Sequence, residues 1–287
     1  MTEKMKNIDL PDGTTIPVLG QGTWQMGDQE KRRTLEIESL RTGIELGMTL
    51  IDTAEMYGDG NSERLVGEAI APYKREDLFL VSKVYPWNAG RDKMEASCRR
   101  TLERLNTDYL DLYLLHWPGS VPLEETIECF ETLMAKGLIR RWGVSNFDLA
   151  HMKSLLDIKG GSHVSTVQNL YHLGSRGVEF DLMPWLMEKH IPLMAYCPLA
   201  QAGRLRAALV DSLEVQAIAL KRNVTPYQIL LAFVLTKPGV LAIPKASTPD
   251  HVKENRQAAD IHLSEKELAI LDMAFPKPDR AVPLDIE

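Results

Sequence analysis

The chain has 287 residues, 44% of them hydrophobic and 25% charged, which is the composition of a globular protein and excludes a wholly disordered one. A net charge of -7 with no block of basic residues excludes the basic face that a nucleic-acid partner needs. The three cysteines, Cys98, Cys129 and Cys197, are too few and too scattered for a disulfide framework or a paired-cysteine metal site, so a reducing, cytoplasmic setting is expected.

From the N-terminus, the segment Met1 to Leu10 lacks the apolar stretch of a signal peptide, and no run approaches the ~18 apolar residues of a membrane span. Neither secretion nor a membrane is expected. Ile8 to Pro17 holds Pro11-Asp12-Gly13, a turn between two short extended runs, and predicts a hairpin plugging one barrel mouth. Short apolar, β-branched runs then begin near Val18, Thr49, Leu78, Tyr109, Ile139, Val164, Ile191 and Val240. Most starts are 25 to 31 residues apart, the length of one strand-helix unit. The seventh interval stretches to 49 residues, leaving room for an added loop and helix.

Between the strands, apolar residues recur with helical spacing: Ile37, Leu40 and Ile44 before Gly47; Met94, Cys98, Leu102 and Leu105; Ile127, Phe130 and Met134 before Gly137. One buried stripe per helix and a glycine past the last turn follow from that pattern. Alternating strands and helices with buried strands predict a parallel sheet. Eight consecutive units without a linker predict a (β/α)8 TIM barrel, one domain over residues 1–287, with an N-terminal β-hairpin and a C-terminal extra helix. That helix runs from Ser264, a cap with Glu267 three residues on, to Ala274; a Pro-rich tail from Pro276 is expected to drape over the barrel.

A barrel of this kind carries its chemistry at the C-terminal ends of its strands. There the chain places Asp52, Lys83, His116, Ser145, Asn146, Gln168, Tyr196 and Lys245. Taken singly, Asp52 and Lys83 read equally as a structural ion pair, His116 as a core histidine, and Tyr57 as a surface tyrosine. Together they read as a proton relay. A phenol with a pKa near 10 exchanges protons poorly at neutrality, a neighbouring ammonium stabilises its phenolate, a carboxylate fixes the ammonium, and an imidazole donates to a carbonyl oxygen as charge grows on it. The histidines lack metal-ligand spacing, so no metal is expected and a hydride has to come from an organic cofactor. Gly20 and Gly22 are followed by Gln25 where a GxGxxG loop needs a third glycine, so a Rossmann domain is disfavoured.

Leu50 to Gly58, with Asp52, Glu55 and Tyr57, Leu110 to Pro118, with Asp111, His116 and Trp117, Gly143 to Phe147, and Ile243-Pro244-Lys245-Ala246-Ser247 together resemble the aldo-keto reductase family over essentially the whole chain. The resemblance implies a catalytic tetrad of Asp52, Tyr57, Lys83 and His116, with Tyr57 as general acid in an NADPH-dependent reduction of aldehydes or ketones. It implies that Ser145, Asn146 and Gln168 hold the nicotinamide carboxamide and that Tyr196 stacks on the ring. Gly22, Thr23, Trp24 and Asp52 would line the cofactor. Cys197 would also contact the cofactor, and the loop from Pro198 to Arg206, with Leu199, Gln201 and Gly203, would fold over the pyrophosphate. Ile243, Lys245, Ala246, Ser247, His251, Glu254 and Asn255 would surround the adenosine end. Lys245 favours NADPH, whereas His251, standing where many members carry an arginine, lacks the bidentate fork and leaves weaker NADH use open. Cys197 replaces a common serine. Trp24, Tyr85, Trp87, His116 and Trp117 would line a pocket for small or aryl carbonyl compounds, such as methylglyoxal-like aldehydes or keto-sugars of the diketogluconate type. A monomer with a small-molecule carbonyl substrate is the expected working form. The alternatives are a non-catalytic, NADP-sensing accessory subunit and a Schiff-base aldolase built on Lys83.

Overall fold

The computed structural model describes residues 5–287; residues 1–4, part of the segment read as lacking a signal, lie outside the described residues. The chain opens with a hairpin of β1 (Asn7–Asp9) and β2 (Thr15–Pro17), Ile8 opposite Ile16. Its turn is the expected one, with Gly13 at φ +83°. Eight parallel strands follow: β3 (Gln21–Gly22), β4 (Leu50–Asp52), β5 (Phe79–Val84), β6 (Leu112–Leu115), β7 (Trp142–Ser145), β8 (Val167–Leu170), β9 (Leu193–Tyr196) and β10 (Val240–Ala242), each beside its neighbour in the chain. Backbone hydrogen bonds from Gly20 to Ala242 and from Ala242 to Val18, both 2.9 Å, join the last strand to the first. The eight strands are those read from the sequence, and the sheet is a closed (β/α)8 barrel. Some strands start later than the apolar runs that announced them. Leu110 and Ile139, for example, make only an isolated bridge before the β6–β7 ladder begins.

Side chains alternate along the strands as the pleat requires. Leu112 and Leu114 point into the barrel with Leu50, Val81, Met194 and Leu241, whereas Tyr113, Leu115 and Val144 face the helices. Leu10 and Ile16 of the hairpin join the inner group, 3% and 2% exposed. Burying each contributes about 1.5–3 kcal/mol, and together they close that end of the barrel with apolar atoms. The inward-facing polar residues Asp52, Lys83 and Gln168 cluster together beyond this apolar group, toward the opposite mouth.

The helices follow their apolar stripes. Helix Arg33–Glu45 buries Ile37, Leu40 and Ile44; helix Met94–Leu105 buries Met94, Cys98, Leu102 and Leu105; helix Leu123–Ala135 buries Ile127 and Phe130. Gly47 and Gly137, at φ +87° and +71°, end the first and third in left-handed conformations that a β-carbon disfavours. The stretched seventh interval holds three helices, Arg204–Val210, Leu213–Arg222 and Pro226–Leu235, one more than its length suggested. Ser212 and Thr225 each accept a backbone N–H as helix caps, and these two capping residues divide the helical stretch. Ser264 and Glu267 form the expected capping box on helix Glu265–Ala274. The tail beyond it does cross the barrel: Leu284 packs on the core, Ser175 donates to Asp285, and the Cys197 thiol donates to Glu287 Oε2 at 2.8 Å.

Candidate active site

Asp52 ends β4 and Lys83 lies in the adjacent β5. Lys83 Nζ donates to Asp52 Oδ2 at 2.7 Å, to the Thr53 carbonyl at 2.8 Å and to the Tyr57 hydroxyl oxygen at 2.9 Å. An ammonium has three N–H bonds, and all three are used, with the side chain sealed from water. Gln168 Nε2 donates to the other oxygen of Asp52 at 2.8 Å. Asp52 is further fixed through its carbonyl, which accepts from the Thr23 hydroxyl (2.9 Å) and backbone (3.1 Å). Thr23 in turn accepts from Ser62, which accepts from Thr53.

Tyr57 is aimed by the turn that follows it. Gly58, Asp59 and Gly60 are all left-handed, at φ +57°, +52° and +83°. A β-carbon on Gly58 would meet Asp28 Oδ1 at 2.2 Å. The tight reversal leads directly into helix Asn61–Ile70 and leaves the Tyr57 ring buried, 9% exposed.

Electrostatics depart from the sequence expectation at one point. Lys83 was expected to lower the Tyr57 pKa. Instead, burial drives it well above its ordinary value and the Asp52 charge adds to the rise, because the Lys83 charge is matched at 2.7 Å by Asp52. Burial likewise raises the Asp52 pKa and lowers that of Lys83, each opposed by the partner's charge. His116, following β6, is held well below the usual imidazole range by burial and then by Lys83. Tyr57 is therefore a protonated phenol and His116 a neutral imidazole near neutrality. His116 Nδ1 is buried without a hydrogen-bond partner among the described residues.

Aromatic rings continue from this centre. Trp24 meets Tyr57 edge-on at 4.8 Å, His116 lies 5.8 Å from Tyr57, and Trp117 lies 4.8 Å from His116. Tyr85 and Trp87 stack at 4.3 Å and both contact Trp117, at 5.9 and 5.7 Å. The five residues expected to line a pocket thus form one wall, with Trp24 and Trp87 partly open at 38% and 54% exposure.

On the other side of the mouth, Ser145 ends β7, and Asn146 follows it at φ +60°. Asn146 Oδ1 accepts from the Tyr196 hydroxyl at 2.8 Å, and its Nδ2 donates to the His116 carbonyl at 3.1 Å, so one amide ties the ends of β6, β7 and β9. Cys197 and Ala200 also have positive φ, 50° and 63°, a strain of order 1–3 kcal/mol each. Burial, then Glu287, pushes the Cys197 thiol far up, so it stays protonated. The loop from Pro198 to Gly203 is tied back by Gln201 to His172 (3.1 Å) and by Arg206 to the Leu199 and Ala200 carbonyls. At barrel closure Gly22 lies against Ile243, whose carbonyl a β-carbon would approach to 2.6 Å. Lys245 follows, forming no ion pair among the described residues. Ala246 and Ser247 lead from it to Thr248, which caps helix Pro249–Ala258. His251, Glu254 and Asn255 share one face of that helix by their spacing. Thr23, although at the mouth, has its hydroxyl committed to Asp52 and is fully buried.

Sequence reasoning did not find the Gln168–Asp52 bond, the contact of Glu287 with Cys197, or the role of Glu55. Buried at 7% exposure, Glu55 accepts from the Tyr85 backbone N–H, Asn88 and Ser97. Its only signal was an acidic residue between two apolar ones, two positions before Tyr57. No group of side chains suited to a metal ion occurs among the described residues, and no helix there is long and apolar enough to cross a membrane.

A closed parallel barrel with a buried Lys-Asp-Tyr cluster, a neutral histidine and an aromatic wall at the C-terminal mouth defines an oxidoreductase of the barrel-fold carbonyl-reducing class. The sequence model of the Aldo/keto reductase family matches residues 18–275, and the chain belongs to that family. It is 53% identical over 283 residues to methylglyoxal reductase YeaE of Escherichia coli (strain K12), covering 99% of both chains. An aldo/keto reductase from Klebsiella pneumoniae in complex with NADP and acetate superposes with a TM-score of 0.96 at 50% identity, covering 99% of this chain and 100% of that one. An aldo-keto reductase from Klebsiella pneumoniae in complex with NADPH agrees equally well, with the same TM-score, identity and coverage.

Proposed function

We propose that the chain reduces small aldehydes and ketones, 2-oxoaldehydes of the methylglyoxal kind foremost, with NADPH and with Tyr57 as the proton donor. The observation that carries this reading is the sealed Lys83 ammonium, which spends its three hydrogens on Asp52, Thr53 and the Tyr57 oxygen. With no lone pair and no exposure, Lys83 is unsuited to attack a carbonyl as a Schiff-base lysine. It is suited to stabilise negative charge on the phenol oxygen.

The mouth fits the cofactor by the chemistry of its donors. Lys245, free of ion pairs among the described residues, and the N-terminus of helix Pro249–Ala258 suit a phosphate. Ser145, Asn146 and Gln168 would hold the carboxamide, and Tyr196 would support the ring. The loop with Pro198, Leu199, Gln201 and Gly203 would enclose the pyrophosphate, and Gly22, Thr23, Trp24, Cys197, Ile243, Ala246, Ser247, His251, Glu254 and Asn255 would complete the lining. Bound NADPH supplies a hydride to the carbonyl carbon. His116 Nε2–H positions the carbonyl oxygen, the Tyr57 hydroxyl transfers its proton to that oxygen, and Lys83 stabilises the phenolate left behind, itself held by Asp52. General acid catalysis of this kind contributes typically ~10²–10⁴ in rate. The Trp24, Tyr85, Trp87 and Trp117 wall excludes water from one side of the substrate.

The test is Tyr57→Phe, assayed for carbonyl-dependent NADPH oxidation over a panel of aldehydes, 2-oxoaldehydes and ketones, with NADPH binding followed by fluorescence. Turnover should fall by at least about a hundredfold while cofactor affinity is kept. Retained turnover, or wild-type protein inactive on the whole panel, overturns the reading.

A further inference from the structure

Glu55 stands between Asp52 and Tyr57 in the chain but faces away from both, into the gap between the Tyr57 loop and the segment after β5. It is a buried carboxylate with no cation in ion-pair range among the described residues. Burying such a group is costly unless hydrogen bonds compensate. Three neutral donors do so. The Tyr85 backbone N–H reaches Oε1 at 2.7 Å and Asn88 Nδ2 reaches it at 3.1 Å, while the Ser97 hydroxyl, from helix Met94–Leu105, donates to Oε2. Hydrogen bonds to a charged acceptor are about twice as strong as neutral ones, so the carboxylate binds this segment more firmly than an amide or hydroxyl would.

The donors bracket the short turn Pro86–Asn88 that carries Trp87. Trp87 is half exposed, and its ring rests on Tyr85 and against Trp117. The outer part of the aromatic wall therefore has its height above Tyr57 set through Glu55, whose own backbone N–H is tied to the Lys83 carbonyl at 3.4 Å. We propose that Glu55 is a positioning residue that locks the Tyr85–Trp87 wall to the Tyr57 loop and thereby sets the preference between substrates that reach the wall and those that do not. The specificity part rests on the carbonyl-reductase reading; the locking part stands on the geometry alone.

The experiment pairs methylglyoxal with phenylglyoxal, which share the reacting group and differ by a ring long enough to touch the wall. In Glu55→Ala the KM for phenylglyoxal should rise on the order of tenfold, the scale of one pocket contact, while kcat for methylglyoxal stays within about twofold. Glu55→Gln, which keeps an acceptor for Tyr85 and can donate to Ser97, should restore most of the difference. Ser97→Ala, removing one donor, should shift the ratio in the same direction by less, and serves if Glu55→Ala does not fold. Independently of turnover, the near-ultraviolet circular dichroism of the stacked Tyr85–Trp87 pair should be lost in Glu55→Ala to the extent seen in Trp87→Phe. Equal losses on both substrates, or a dichroism band intact in folded Glu55→Ala, overturns the proposal. An inactive wild type with the band lost in Glu55→Ala overturns the proposed function and the specificity role but supports the locking.

Discussion

Removing one member of the Asp52–Lys83 pair should cost more stability than removing both. The two side chains are 2% and 0% exposed, and deleting one partner of a buried pair costs about 3–5 kcal/mol by leaving the other charge uncompensated. Lys83 keeps Thr53 and Tyr57 as acceptors and Asp52 keeps Gln168 as a donor, which places each single loss near the lower end, about 3 kcal/mol. At about 2–4 °C per kcal/mol for a chain of this size, Asp52→Asn and Lys83→Met should each melt roughly 6–12 °C below the wild type. The double variant buries no charge and should recover most of the deficit, falling far short of the roughly 6 kcal/mol loss that two additive singles would give. The assay is calorimetry or far-ultraviolet circular dichroism of cofactor-free protein at neutral pH. The pH dependence has opposite signs in the two singles. In Asp52→Asn, Lys83 is a base whose folded pKa lies below the unfolded ~10.4, so the deficit shrinks as pH rises through the folded value. In Lys83→Met, Asp52 is an acid with a raised folded pKa, so the deficit shrinks as pH falls through that value. Additive single losses, or the same pH trend in both, would refute the reasoning.

Because His116 is held low and Tyr57 high, kcat/KM for reduction should be flat from about pH 6.5 to pH 10, between the two ordinary pKa values; an inflection inside that window counts against the assigned protonation states. Arg222 holds the Glu267 carboxyl down to about 2, so its contribution is present above the unfolded value of ~4.3 and lost as pH falls through the folded one. Arg222→Ala should therefore lower the melting temperature at neutral pH more than at pH ~2, and an equal loss at both excludes the linkage. His251→Arg should tighten NADPH binding and leave NADH binding unchanged in fluorescence titrations, since only NADPH carries the phosphate that a guanidinium fork can grip; equal gains for both cofactors would place the effect elsewhere.

The strands, the hairpin and the positions of Asp52, Lys83, His116 and Tyr196 were legible because burial writes a period into the sequence and the strand ends follow from where that period stops. Side-chain partners were not. Gln168 reaches Asp52 across the barrel interior from residues 116 apart in the chain, a contact set by register and rotamer, not by composition. Glu55 looked like one more polar residue in a loop because its three donors lie on a different unit. The direction of the Tyr57 shift was missed for a related reason: a neighbouring lysine lowers a phenol pKa only when its charge is not already neutralised and the phenol is not buried, and both conditions depend on the packed site.

The hydrogen bonds that tie Ala242 to Gly20 and to Val18 bear on how the chain folds. They join segments at opposite ends of the sequence, and such long loops are closed late and slowly, since the entropy of closure is lost before the contact rewards it. Gly22 and Lys245 flank that seam, one on each side. An intermediate with the ring still open would lack the complete phosphate pocket proposed above, so the recovery of cofactor affinity during refolding should time the moment at which the ring closes.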